Sequence, residues 1–128
     1  MVCCYLVGKA IVDRDYARFQ LAHEMVHCLC PSGGPAAKVF EEGAAAWYQQ
    51  RFAATKLNNR VQLGSAKYIE ARRLYMKLRK IDVDVIKKLR AVEPHMQKIE
   101  RQTFESVRIR VPDDLLDNLL LSFDQFNV

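Results

Sequence analysis

Glycine and proline are scarce in this chain, at 5 and 4 of 128 residues. That scarcity excludes a linker-rich or collagen-like protein. No apolar run approaches the roughly 18 residues needed to cross a bilayer, so no membrane span is expected. Internal repeats, low-complexity tracts, glycine-rich loops, finger spacings and an aromatic RNA-binding signature are all missing. Residues 111–128 lack Lys and Arg altogether and carry four aspartates. What remains is an ordinary globular composition, 50% hydrophobic and 27% charged. Its length suits one domain of roughly 100–150 residues.

The net charge of +5 conceals blocks. Residues 1–55 are balanced, residues 56–110 hold fifteen basic and six acidic side chains, and the tail is acidic. A basic block can attract nucleic acid or anionic lipid. Spread over several helical turns, it reads first as a solvated helix face, partly neutralised by the tail folding back. Nucleic acid is therefore a weakly supported partner, and no membrane partner is expected.

Four cysteines form two close pairs, Cys3/Cys4 and Cys28/Cys30. Neighbours so near seldom bridge each other. The apolar start, Met1–Val7, is short and has no basic leader or small-residue cleavage site. It is not read as a signal peptide, so reduced thiols and a cytoplasmic location are expected.

Residues 3–12 are apolar and β-branched, with a turn signal at Gly8–Lys9, and predict a strand or short hairpin. Asp13 or Asp15 is placed to cap a helix from about Tyr16 to Cys30. Pro31-Ser-Gly-Gly-Pro35 is the strongest breaker. A second helix follows over about 36–56, and Asn58–Asn59 marks a turn. Beyond it, Tyr68, Leu74, Tyr75, Leu78 and Ile81 share a helical stripe. Asp82 or Asp84 opens another helix with Val85, Ile86 and Leu89 inward, and Pro94 ends it. Pro112-Asp-Asp starts the last helix.

The first helix contains His23-Glu24-Met25-Val26-His27, an H-E-x-x-H sequence. Positions four apart on a helix project from one face, one turn apart. Two imidazoles so placed can share a Zn²⁺ at about 2.0–2.1 Å each. Glu24 lies beside that face and can reach water at the metal without binding the metal itself. The uncharged flanks, Leu21, Ala22, Met25, Val26, Cys28 and Leu29, predict burial on several sides. A third protein ligand is needed, and Glu41 and Glu42 are the nearby carboxylates. The histidines centre roughly 9 Å of helix before the Pro31 break, and Glu42 lies roughly 10 Å beyond Pro35. An antiparallel hairpin would bring them level, with Gly43 permitting close approach of the two helices. Glu41 and Glu42 stand about 100° apart, so only one is expected to face the histidines. A His/Cys zinc site using Cys28, Cys30 and Cys3 or Cys4 is the weaker alternative, because it leaves the glutamates unused. Phe40 and Trp47 are expected to anchor the hairpin in the core, with Tyr48 in the core or at its rim.

Leu21-Ala-His-Glu-Met-Val-His-Cys-Leu29 followed by Val39-Phe-Glu-Glu-Gly-Ala-Ala-Ala-Trp-Tyr48 resembles the gluzincin metallopeptidases. The resemblance covers about residues 5–55 and extends to the compact minigluzincins and the ImmA/IrrE-type peptidases. It implies an α+β, predominantly helical, zincin-like domain over 1–128. A short N-terminal strand or hairpin and the zinc-binding helix hairpin would occupy 1–57, and C-terminal helices 65–128. It further implies one zinc held by His23, His27 and Glu42, with Glu41 the alternative ligand. Glu24 would be the general base in peptide hydrolysis. Tyr68, Tyr75 and His95 are the candidates for a transition-state donor, and a peptide or protein is the substrate. Where many of these enzymes carry an aspartate that supports a zinc-bound histidine, this chain has Ala46. Any such support must come from elsewhere. A catalytically weak regulatory or binding module is the alternative reading.

Overall fold

A computed structural model of the chain describes residues 6, 8–29, 31 and 37–128. Six α-helices dominate them: α1 (Arg14–Cys28), α2 (Val39–Lys56), α3 (Ala66–Ile81), α4 (Val85–Val92), α5 (Arg101–Ser106) and α6 (Asp113–Leu120). Short 3-10 turns occupy Gly8–Ile11, Met96–Lys98 and Phe123–Gln125. There is no strand among the described residues, where pairing amounts to an isolated bridge between Lys38 and Ser122.

The predominantly helical character is as expected, but the strand over 3–12 needs correction. Gly8 adopts φ +63 and residues 8–11 wind into a 3-10 turn. Ile11 and Val12 are 80% and 87% exposed. β-branched residues favour extended geometry chiefly where they pack on a neighbouring strand, and none is present among the described residues. Residues 3–5 and 7 of the expected segment lie outside the described residues, as does most of the Pro31–Pro35 break.

α1 and α2 form an antiparallel pair. Phe19 meets Gln49, His23 meets Glu42 and His27 meets Glu41, so one helix retreats as the other advances. α2 and α3 instead run in the same direction. Gly43 lies against Ala71 and Tyr75, and Trp47 against Tyr75 and Arg79. The glycine therefore serves this second contact, not the α1–α2 approach anticipated for it. A Cβ there would run into the Ala71 carbonyl oxygen and stand 2.8 Å from Tyr75 Cβ.

Two helices of the same direction require a connector that returns the full length of the pair. Asn58 and Asn59 take φ 50 and 55 and end α2, as the turn signal anticipated. Residues 60–65 then run back, held by Leu63 N–H donating to Gln50 Oε1 at 3.2 Å.

The main core combines α2 (Val39, Phe40, Ala44), α3 (Ala71, Leu74, Tyr75, Leu78), α4 (Val85, Leu89) and the elements beyond it (Ile99, Phe104, Leu116, Leu119, Phe126). Trp47 and Ile86 pack at its edge, while Ile81 and Tyr48 are exposed. The expectation that α1 is buried on several sides is also corrected. Leu21, Met25 and Leu29 are 42%, 52% and 67% exposed, because α1 is an outer helix whose principal helical neighbour is α2. Acidic α6 folds back on the basic block through Arg101, whose guanidinium donates to Asp113 at 2.6 Å and Asp117 at 2.5 Å. No helix among the described residues is long and apolar enough to cross a membrane.

Candidate metal centre

Two helix ends position the cluster. At the start of α1, Asp13 Oδ1 accepts the N–H of Tyr16 at 3.0 Å, which fixes where the helix begins. Ten residues on, His23 and His27 fall on the face turned toward α2. Glu41 and Glu42 occupy the first turn of α2, where the helix dipole favours negative charge. Both glutamates are buried, Glu41 at 2% exposure. Buried carboxylates need partners, and the imidazoles supply them.

Contrary to the expectation that one glutamate would face the histidines, both do, each at a different ring atom. His23 Nε2 lies 3.0 Å from Glu42 Oε2. His27 Nε2 lies 3.2 Å from His23 Nε2 and 3.5 Å from Glu42 Oε1. On the far side of its ring, His27 Nδ1–H donates to Glu41 Oε1 at 2.9 Å. The Gln97 amide, from the turn after α4, donates to that same Oε1 at 3.2 Å. Glu41 Oε2 is buried without a hydrogen-bond partner among the described residues, so Oε1 carries the compensation for burying this carboxylate.

Three groups thus converge: His23, His27 and Glu42 offer one ligand atom each, all within 4.8 Å of one another. Ligands about 2.0–2.1 Å from a tetrahedral zinc stand about 3.3 Å apart. The observed separations of 3.0, 3.2 and 3.5 Å bracket that edge, counting both oxygens of Glu42. The set therefore fits a small divalent cation that accepts nitrogen and oxygen ligands. Cys28 is not in it, and Cys3, Cys4 and Cys30 lie outside the described residues.

No family model, curated protein or solved structure matches the chain.

The charges around the cluster are strongly coupled. Burial lowers the pKa of His27, but Glu41 and Glu42 outweigh it and raise it from 6.5 to about 10. Burial likewise opposes ionisation of Glu42, yet the two histidines hold it at about 2. A cation, whether a proton or a metal, is thus strongly favoured between these groups. The Nδ1–H bond to Glu41 also fixes the tautomer of a neutral His27, leaving Nε2 as the free ligand atom.

A cleft of about 480 Å³ opens beside His23 and is also lined by Glu24, Gln20, Gln49, Tyr68 and residues 62–65. Glu24 is half-buried, next to the cluster and outside it. Tyr68 sets its ring edge-on to His23 at 5.3 Å. Burial, then Glu42 and Glu24, raise its phenol to about 12, so it stays a proton donor at neutral pH. Tyr75 packs in the core against Trp47, and burial raises its pKa. His95 is exposed beyond α4. Neither of these two lines the cleft. Sequence reading missed Gln97 and the second task of Glu41. Gln97 is 56 residues from Glu41, and no local pattern announces such a contact. The adjacent Glu41–Glu42 pair is visible in the sequence, but helix geometry alone suggests a choice between two ligands.

Proposed function

We propose that the chain is a zinc-dependent metallopeptidase, with one zinc per chain held by His23, His27 and Glu42. The observation that carries the reading is the convergence of these three groups beside a cleft that also holds Glu24. The resemblance of residues 21–29 and 39–48 to gluzincins points the same way. So does Glu41, which accepts from His27 Nδ1 at 2.9 Å and supplies the histidine support that Ala46 cannot.

A bound zinc would supply a Lewis acid that acidifies water and polarises a carbonyl. Glu24 takes the proton of the attacking water on its carboxylate and passes it to the leaving amine nitrogen. Tyr68, neutral and at the cleft wall, donates its phenolic hydrogen to the oxygen that gains charge. Glu41 and Gln97 hold His27 in register. A peptide or protein is the substrate.

The test is zinc content and peptide cleavage, measured on a chain without a metal-affinity tag. The expected result is about one zinc per chain, lost in His23→Ala, with hydrolysis that vanishes in zinc-replete Glu24→Gln. Equal cleavage by Glu24→Gln would refute the mechanism. Zinc without cleavage would favour the regulatory or binding module.

A further inference from the structure

We propose that residues 62–64 act as an edge strand, pairing with the main chain of an extended peptide in the cleft beside His23 and Glu24. The inference rests on the peptidase reading for the identity of its occupant, and on the return segment for its geometry. The sequence predicts a strand or short hairpin over residues 3–12, ahead of the metal-binding helix. Residues 8–11 wind into a 3-10 turn instead, and another segment has the required properties.

After a bend at Val61, residues 62–65 run back along α2 with neither helix nor turn. Side chains alternate over 61–64: Val61 and Leu63 are half-buried, and Gln62 and Gly64 are exposed. Val61 and Leu63 pack on the cluster of Phe19, Ala53 and Leu57. Such period-two alternation is that of an extended strand on a core. Ser65, at its end, has φ −85 and ψ 125.

Along an extended chain the N–H and C=O of one residue point to one side, and those of the next to the other. Leu63 N–H is turned to Gln50 of α2. The main-chain groups of Gln62 and Gly64 therefore point away from α2, and neither residue makes a backbone hydrogen bond among the described residues. Both line the cleft with His23, Glu24 and Tyr68. Unpaired backbone groups at an edge are a template for a further strand.

The walls select the occupant. Among the described residues the cleft is lined by Tyr16, Phe19, three glutamines, Ser65 and Tyr68, with Glu24 and no Lys or Arg. A polyanion finds no counter-charge there and meets a carboxylate. A peptide main chain finds donors and acceptors two residues apart, with amide and hydroxyl groups for its side chains.

Gly64 offers a clean test. Space around it is open, so a Cβ meets nothing within 4 Å. Gly64→Pro removes one cleft-facing N–H without breaking an internal bond and keeps residue 63 extended. Gly64→Ala retains the N–H. Binding of fluorescein-labelled casein is measured on zinc-loaded Glu24→Gln, and cleavage on the chain with Glu24 intact. The expected outcome is binding about three- to tenfold weaker with Gly64→Pro, the loss of one or two hydrogen bonds. Gly64→Ala should bind as the parent does, and zinc content should be the same in all. Equal binding by the two variants overturns the pairing while leaving peptidase activity in place. Binding with the proline effect but no cleavage overturns the peptidase reading and leaves the pairing. No binding by any form overturns the pairing. Gln62→Pro, which removes the other N–H, decides the matter if Gly64→Pro loses helix content.

Discussion

At the scale of single residues, the centre depends on dividing labour between two adjacent glutamates. Glu42 points its oxygens at Nε2 of both histidines, while Glu41 accepts from Nδ1 of His27. Consecutive helical residues diverge by about 100°, yet His27 presents a nitrogen at each end of its ring. One imidazole can therefore meet both. Glu41→Gln keeps the shape and an acceptor but removes the charge that, on the proposed reading, would make His27 a stronger ligand. Zinc affinity should fall about tenfold, at the mild end of the effect of losing a supporting partner, with helix content unchanged. Competition with a chromogenic chelator measures it. Undiminished affinity would mean that Glu41 only fills space. Glu42→Gln, by contrast, would exchange the proposed charged ligand for a weak neutral one and should lose zinc in the same assay.

At the scale of elements, local signals were legible wherever a single helix or turn was at stake. The H-E-x-x-H face of α1, the Asp13 cap, the break before α2, the Asn58–Asn59 reversal and the start at Pro112 are all written in neighbouring residues. The direction of α3 relative to α2 is not, because it depends on how far a connector can reach. The exposed stripe of Leu21, Met25 and Leu29 was likewise hidden: apolar residues on a helix do not announce whether another element covers them, and among the described residues none buries these three. Gly43 shows the same limit. Its sequence position beside Glu42 suggested the α1 contact, whereas packing gives it to α3. Gly43→Ala sets two effects against each other. Alanine favours the helix by up to about 1 kcal/mol. Overpacking costs about 1–3 kcal/mol, and the obstacle here is the Ala71 backbone carbonyl, which cannot swing aside as a side-chain tip would. The variant should be less stable by about 1–2 kcal/mol in urea unfolding. A more stable variant would show that α2 and α3 are not held this close.

At the scale of the whole molecule, the cluster fastens an outer helix to the body. α1 contributes Phe19 and Ala22 to buried packing but leaves a broad apolar face in water. Much of its attachment is the set of bonds from His23 and His27 to Glu41 and Glu42. Without metal, those bonds carry a pH dependence whose sign follows from the shifts. His27 is raised from 6.5 to about 10, so its contribution is complete below pH 6.5 and is lost as pH rises through about 10. Glu42 is lowered from 4.5 to about 2, so its contribution is complete above pH 4.5 and is lost as pH falls through about 2. These are one interaction seen from its two ends, and it is whole between pH 4.5 and 6.5. Thermal melts of the chelated chain, followed by far-UV circular dichroism, should show the highest midpoint in that window and a decline toward pH 10. Zinc should flatten the alkaline side, because a metal-bound His27 has no proton left there to lose. The same alkaline decline with and without zinc would mean that metal and proton do not compete for one place.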